Sequence, residues 1–224
     1  MKYIKLVIGG VTYREGAIYS LDTTRRLFEN SPSVGNCCCG ELFAVLNVNS
    51  EDIERNAKIV PYVSSDGSTW TKKGEYFVFS RQEDHATGAL AIYAYDAIFK
   101  AEESFTKPGN QGQWPRIDIN VMQEIATRTG TQIEVASLAA LDQAYEVQYP
   151  GMILDNGTLK PDGKGALTMR EVAGRIAAFY GGNWIINNKG KWQLIKLGDI
   201  PAETHYLVTE DGDAITLGGV RILV

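Results

Sequence analysis

Long apolar runs are missing from this chain of 224 residues. No segment approaches the roughly 20 consecutive apolar residues that span a bilayer, so we predict no membrane-spanning segment. Residues 1–10 hold only a short apolar run and no small-residue cleavage site, which predicts a first strand and not a signal peptide. Without an export signal, we expect the protein to be made and assembled in a cytoplasm.

Cysteine and histidine are scarce. The three cysteines stand together at Cys37, Cys38 and Cys39, and an odd count without distant partners argues against a disulfide framework. A zinc site would need a second thiol pair or nearby histidines, and the chain has only His85 and His205. We expect the thiols to be small buried residues of a strand and the histidines to be ordinary surface residues. No metal-binding residue is predicted.

Clustered positive charge is also missing. The formal net charge is −5, and the two signs are interspersed along the chain. Arg25-Arg26 is the nearest approach to a basic cluster, and we interpret it as two exposed charges inside a strand. We therefore expect no sequence-independent binding to nucleic-acid phosphates.

Catalytic signatures are absent, since there is no nucleophile elbow, Walker loop or dinucleotide fingerprint. The adjacent pair Glu102-Glu103 favours a solvated helix end, because glycoside chemistry needs two carboxylates across a cleft. The segment 211–213 is typical of a hairpin turn and lacks the complete calcium-loop pattern. The glycosylation acceptor at 156–158 has no role without export. We predict no catalytic or cofactor-binding residue, no cofactor and no enzymatic activity.

The four tryptophans leave one binding function open. Trp184 and Trp192 lie in paired strands behind a helix, where core packing is expected. Trp70 and Trp114 lie in loops, where an exposed indole can stack on a sugar ring. A cell-wall carbohydrate-binding module, or a non-catalytic part of a cell-wall hydrolase, is therefore the alternative function.

Alternating apolar and polar residues predict β-structure through the first half. The predicted elements are strands over Tyr3–Ile8, Val11–Tyr13, Gly16–Phe28, Cys37–Val48, Lys58–Val63, Tyr76–Arg81 and Ala89–Tyr95, and a short helix over Asp96–Glu103. Gly9-Gly10 favours a tight hairpin between the first two strands. The strand over 37–48 is apolar on both faces, which predicts a central position in its sheet. Pro61 predicts an edge or bulged strand.

A turn-forming segment, 107–113, predicts a domain boundary, and beyond it the apolar period changes to that of a helix. Val121, Met122, Ile125 and Ala126 form one predicted helix face, and Gly130 ends that helix.

The residues Thr168-Met169-Arg170-Glu171 form a capping box that begins a second helix, which Gly181-Gly182 ends. Two paired strands, Trp184–Ile186 and Trp192–Ile195, follow around a hairpin connection. We expect a long polar loop over 153–165 and short strands over 205–224. A chain that stops inside an apolar strand also suggests a longer protein.

Several blocks in order resemble the tail-hub family of phages and prophages of Gram-positive bacteria, which is also the N-terminal part of tail-associated lysins. The blocks are Ser33–Cys38 with the strand Glu41–Leu46, Ala57–Val63, Trp70 with Gly74–Phe77, Leu90–Ala97, and Thr168–Glu171 with Gly182–Trp184. They cover most of the chain.

The resemblance implies a homotrimer whose subunits each supply a tail-tube-like antiparallel β-barrel. It also implies an α+β fold, with a barrel of residues 1–106 plus 199–224 and a smaller α/β domain inserted over 107–198. The expected function is structural: a virion tail-tip hub that joins the tail tube to the baseplate or fibre. Its expected partners are its own copies and the distal tail and tail-tube proteins, with DNA only as passing cargo. A second tube-like barrel and a lysin region, common in full hubs, are not found in this sequence.

Overall fold

The computed structural model describes residues 3–29, 31–47, 53–84, 86–105, 115–141, 146–147, 152–155, 158–161, 167–199, 216–217 and 220–221. For residues 152–155, 158–161, 216–217 and 220–221 only the backbone is described. Antiparallel β-strands with a few helices make up these residues, which places the fold in the α+β class. No helix of the described segments is long and apolar enough to cross a membrane.

The first half of the chain forms one sheet of eight strands. The strands are β1 (Tyr3–Ile8), β2 (Val11–Arg14), β3 (Ile18–Thr24), β4 (Glu41–Leu46), β5 (Lys58–Ser64), β6 (Thr71–Lys72), β7 (Tyr76–Asp84) and β8 (Ala89–Tyr95). Their order is β2-β1-β5-β7-β8-β4-β3, with β6 beside β5. The hairpin at Gly9-Gly10 is confirmed, and both glycines adopt positive φ. The central position of β4, between β3 and β8, is confirmed as well.

The sheet curls strongly, because its two end strands are neighbours in the chain. Only residues 15–17 separate β2 from β3, and a link that short spans at most about 14 Å. In a flat sheet with strands about 4.8 Å apart, strands in those two positions would lie about 29 Å apart. No pairing joins β2 to β3 along their lengths in the described part of the chain, so the predicted closed barrel is not confirmed.

Pro61 predicted an edge or a bulged strand, and of these two alternatives the edge strand is wrong. Strand β5 pairs with β1 on one side, and with β7 and β6 on the other. The Pro61 carbonyl accepts a hydrogen bond from Lys73 N at 2.9 Å on the β6 side. Because the amide position and carbonyl of one strand residue face the same neighbour, the missing N–H also faces that side. On that side, β7 pairs with Lys58 and Ile59, and β6 pairs with Tyr62 and Val63, so Pro61 lies in the gap between the two partner strands. The missing N–H therefore leaves the pairing with β1 intact.

The strands predicted over 16–28 and 37–48 are shorter in the structure, and Cys37, Cys38 and Cys39 precede β4. The expectation of buried thiols holds for Cys37 and Cys38, but their placement in a strand is wrong. The chain before β4 is drawn to the second half instead, since Trp184 N donates to Asn36 O at 2.9 Å. Arg25 also lies beyond the end of β3, where its Nη1 donates to Asn188 Oδ1 at 2.8 Å.

The described residues of the second half form three α-helices and short strand pairs. After the 3-10 helix Ala97–Glu102 come β9 (Arg116–Ile117), α1 (Asp118–Arg128), α2 (Val135–Ala140), β10 (Glu146–Val147), β11 (Met152–Asp155), β12 (Thr158–Pro161), α3 (Met169–Phe179), β13 (Gly182–Ile186), β14 (Trp192–Lys196), a 3-10 turn Leu197–Asp199, β15 (Thr216–Leu217) and β16 (Val220–Arg221). The two predicted helices and the β13–β14 hairpin are confirmed. Helix α2 was not predicted. The polar loop expected over 153–165 is wrong in part, because β11 pairs with β12.

Buried apolar side chains form two clusters. The first lies on the inward face of the sheet, with Leu6, Ile8, Leu42, Ala44, Leu46, Ile53, Ile59, Tyr76, Val78, Leu90, Ile92 and Ala94. The second joins α1, α3, β13 and β14, with Val121, Met122, Ile125, Val172, Ile176, Trp184 and Trp192 among its members. Cys37, Ile98 and Phe105 come from the first half of the chain but pack in the second cluster.

Candidate docking surface on the sheet

Aromatic side chains collect on the outward face of β4 and β8. The register pairs Phe43 with Tyr93 across these strands, and Tyr95 with Phe77 of β7. Paired residues of an antiparallel sheet project from the same face, while their sequence neighbours project from the other. The neighbours Leu42 and Ala94 are buried in the sheet cluster, so the aromatic residues face outward.

A β-bulge adds Phe79 to the same face. The register between β7 and β8 shifts between Val78 and Ser80, which leaves Phe79 as the extra residue. Phe79 is 60% exposed, and its ring meets the Tyr95 ring edge-on at a centroid distance of 5.2 Å. A bulge re-aims side chains in this way without ending the strand pairing.

The 3-10 helix completes the cluster with Phe99, whose ring centroid lies 6.3 Å from those of Phe79 and Tyr95. At the other end, Phe43 and Tyr93 lie 4.8 Å apart. An exposed apolar group of this kind on a sheet is typical of a contact surface for another molecule.

Two carboxylates border the aromatic rings. Asp22 of β3 pairs in register with Phe43, and Glu41 of β4 pairs with Tyr95. With these rings they line a groove of about 100 Å³. We define the acidic–aromatic face as Asp22, Glu41, Phe43, Phe79, Tyr93, Tyr95 and Phe99. Chemically it suits a cationic or apolar protein surface, because aromatic faces and carboxylates both attract cations.

Asp96 is a buried carboxyl at the end of β8, behind this face. It accepts hydrogen bonds from Gly40 N at 2.7 Å and from Ile98 N at 2.9 Å, and the Cys39 thiol donates to it at 3.4 Å. Burial raises its pKa to about 6. The carboxyl caps the 3-10 helix and ties it to β4, so its role here is structural.

A polar cleft of about 350 Å³ lies around Arg170 of α3. The guanidinium donates from Nε to Cys37 O at 2.7 Å and from Nη1 to Glu102 Oε1 at 2.6 Å, and it also bonds Glu29. Glu171 is engaged in the capping box. These carboxylates are occupied by hydrogen bonds and face a cation, which differs from the paired acid and base of a hydrolase.

The three thiols are protected. Burial raises the pKa of Cys37, Cys38 and Cys39 above the ordinary value. Since the thiolate is the reactive form, these are unreactive side chains at neutral pH. In the segments that the structure describes, no three His, Cys, Asp or Glu residues are grouped to hold a metal ion.

The tryptophans divide as follows. Trp184 and Trp192 are buried, and their ring centroids lie 6.1 Å apart. The indole N–H of Trp184 donates to Ala173 O, and that of Trp192 donates to Thr129 Oγ1, both at 3.1 Å. The predicted core packing of these two residues is therefore confirmed. Trp70 is half-buried, and Lys5 Nζ lies 4.4 Å from its ring centroid. The cation covers one ring face that a sugar would need.

The remaining predicted residues lie apart from the acidic–aromatic face or outside the described residues. His85, Trp114, His205 and 211–213 are outside them, as are Asn156 and Gly157 of the glycosylation acceptor. Sequence reasoning missed the aromatic face, because it attributed the outward Phe43 and Val45 to burial in a central strand. No local signal marks this face, because Phe43 and Tyr93 become neighbours only through the β4–β8 register.

Comparison with known proteins finds a similar fold in a solved prophage tail protein. No protein-family model matches the chain, and no curated protein matches it. Among solved structures, the 43 kDa tail protein of prophage MuSo2 from Shewanella oneidensis is similar, with a TM-score of 0.53 and 14% sequence identity. The match covers 86% of this chain and 53% of that one, so the chain spans about half the length of that protein. At this identity, the likeness concerns the fold.

Proposed function

We propose that this chain is a structural component of a phage or prophage tail tip, a hub that acts by oligomeric assembly. One observation carries the proposal: the fold is similar to that of a prophage tail protein over 86% of the chain. The exposed aromatic rings of Phe79 and Tyr93 support assembly as the mode of action, because a partner that covers such rings removes their apolar surface from water.

The proposed hub joins the tail tube to the baseplate or fibre as a homotrimer. Residues 1–106 and 199–224 form its tube-like unit, and 107–198 form an inserted α/β domain. The curl of the sheet, imposed by the three-residue link between β2 and β3, supports a tube-like unit. Its partners are the distal tail and tail-tube proteins. The chain is assembled in the bacterial cytoplasm and resides in the virion.

The proposed role involves no catalysis. Glu29 and Glu102 bind Arg170, and the pKa values of the cysteine thiols are raised by burial. DNA passes the hub only as cargo, and the net charge of −5 disfavours its adhesion.

Localisation in tail particles tests this function. Tails purified from the bacterium that carries the gene are analysed by mass spectrometry, and antibodies against residues 1–224 are applied for immunogold microscopy. We expect the chain in the particles and gold at one end of the tail. A chain absent from purified tails, or gold spread along the whole tube, contradicts the hub function.

A further inference from the structure

The outward face of the sheet is basic over β1, β2, β5 and β6, whereas the acidic–aromatic face lies over β3, β4, β7 and β8. Arg14, Lys5, Tyr62 and Lys72 form one row in register across β2, β1, β5 and β6, so they share a face. Lys58 lies on the same face, because it pairs with the outward Phe77. We define the basic face as Lys5, Arg14, Lys58 and Lys72.

The outward strand positions of each half carry charge of one sign, and Lys100 of the 3-10 helix lies 3.4 Å from the Phe77 ring between the halves. The outward strand positions of β1, β2, β5 and β6 hold four cations and no carboxylate. Glu75, which follows β6, bonds Lys72 and lies 3.7 Å from Lys58, so this half keeps a surplus of positive charge. The outward positions of β3, β4 and β8 hold Asp22 and Glu41 and no cation.

The two faces are different patches on the outward side of one sheet, and they meet at Phe77 of β7, which pairs with Lys58 on one side and with Tyr95 on the other. One buried cluster joins Leu6 and Ile59 of the basic half to Leu42 and Leu90 of the acidic half. Since each strand turns its apolar residues into this cluster, its outward residues point away from it. The curl between β2 and β3 brings the halves around the cluster. A head-to-tail contact between copies joins two different patches of one subunit, as these are.

We infer that the acidic–aromatic face of one copy binds the basic face of a second copy of this chain. The inference rests on the proposed assembly function and names the surfaces that carry it. Arg14 and Lys58 of one copy would meet Asp22 and Glu41 of the next, and would lie against exposed rings such as Tyr93. Cations gain from both carboxylates and aromatic faces at such a contact.

The charge pattern favours a copy of this chain over another protein as the occupant. A surface that recognises its own opposite face needs surplus charge of opposite sign on the two faces, and the sheet has it despite interspersed charges elsewhere. Because the contact joins two different faces, each added copy presents a free face to the next one. Such contacts close into a ring when the rotation between copies permits.

Charge reversal on each face tests the contact with the 224-residue chain. The first variant carries Asp22→Lys and Glu41→Lys, so both of its faces are basic. The second carries Arg14→Glu and Lys58→Glu, so both of its faces are acidic. Self-association is measured by analytical ultracentrifugation at about 50 and about 500 mM salt, since screening weakens charge contacts. We expect wild-type association to weaken at least ~10-fold with salt, and each variant alone to stay monomeric.

Mixing the two variants gives the decisive result. An equimolar mixture restores association, because a basic face again meets an acidic one. The control variants Arg175→Glu and Glu146→Lys, both on exposed residues of the second half, leave association unchanged.

Two outcomes overturn the inference: variants that associate like wild type, and a wild-type chain that is monomeric at every concentration. The second outcome would assign the acidic–aromatic face to a different protein. Either can occur while the chain is still found at the tail tip, so the failure of this contact is distinguishable from the failure of the hub function. Conversely, salt-sensitive association by a chain absent from tails contradicts only the hub function.

Discussion

Asp96 is a buried carboxyl whose ionisation is expected to lower the stability of the fold. It is 1% exposed, and its hydrogen bonds to Gly40 N and Ile98 N only partly offset the loss of solvation, so its pKa rises from 3.8 to about 6. The folded protein therefore holds this proton where the unfolded chain has lost it. The stabilisation is fully present below pH 3.8 and is lost as the pH rises through about 6.

Asp96→Asn removes this titration. We expect the difference in free energy of unfolding between wild type and variant to fall by about 2 kcal/mol from about pH 4.5 to about pH 7.5. Urea denaturation across this range measures it, with Asp22→Asn on the exposed strand β3 as the control. Parallel stability curves for wild type and D96N would show that Asp96 does not titrate in this range.

The cysteines give a second prediction at the scale of the residue. Since burial raises the pKa of Cys37, Cys38 and Cys39, iodoacetamide at neutral pH should leave the folded protein unmodified. The same treatment in denaturant should add three groups, which intact-mass measurement counts. Rapid modification of the folded protein would contradict the burial of these thiols.

Among the elements, helix α3 has the best-defined start. Thr168 Oγ1 accepts from Glu171 N at 3.1 Å, and Glu171 Oε2 accepts from Thr168 N at 2.7 Å. Thr168→Ala leaves the Glu171 amide without this acceptor, so we expect a loss of about 1 kcal/mol in the free energy of unfolding. Thermal and urea denaturation measure the loss.

Thr127→Ala is the matched control for the cap. Thr127 is exposed on α1, and its hydroxyl donates to Gln123 O of the same helix at 2.8 Å. Alanine has the higher helix propensity, so we expect this change to be neutral or slightly stabilising, within about 0.5 kcal/mol. If both variants lose stability equally, the cap has no special contribution.

At the scale of the whole molecule, the helical core is not built from one continuous stretch. Cys37, Ile98 and Phe105 pack in it, although they precede residue 107 in the chain. Ser104 and Thr168 also form an isolated bridge, and Phe105 N donates to Leu167 O at 2.9 Å. The sheet and the helical core therefore share residues of the same segment.

The proposed inserted domain, 107–198, should consequently not fold alone. Without Ile98 and Phe105, apolar surface of α1 and α3 is exposed to water at a cost of several kcal/mol. We expect weak helical circular dichroism and no cooperative melt for this piece, and recovery of both when it begins at residue 97. A cooperative melt of 107–198 by itself would show that the shared residues are dispensable.

The sequence by itself determined the features that depend on neighbours within a few positions. The capping box at Thr168, the hairpin at Gly9-Gly10 and the buried face of α1 are confirmed, because a cap, a turn and a helical stripe involve residues at most one or two turns apart. The alternation of residues along β8 likewise separates its buried Leu90, Ile92 and Ala94 from the residues of its outward face.

Tertiary structure alone decided which strands are neighbours and which surfaces stay exposed. Pro61 is tolerated in an interior strand because its missing N–H faces the gap between the partner strands β7 and β6. No local sequence pattern reveals that gap. Phe43 meets Tyr93, fifty positions away, only through the β4–β8 register. That register brings outward aromatic residues of two strands together into one exposed surface. Contacts between distant residues depend on how the sheet curls, and that depends on all its strands together.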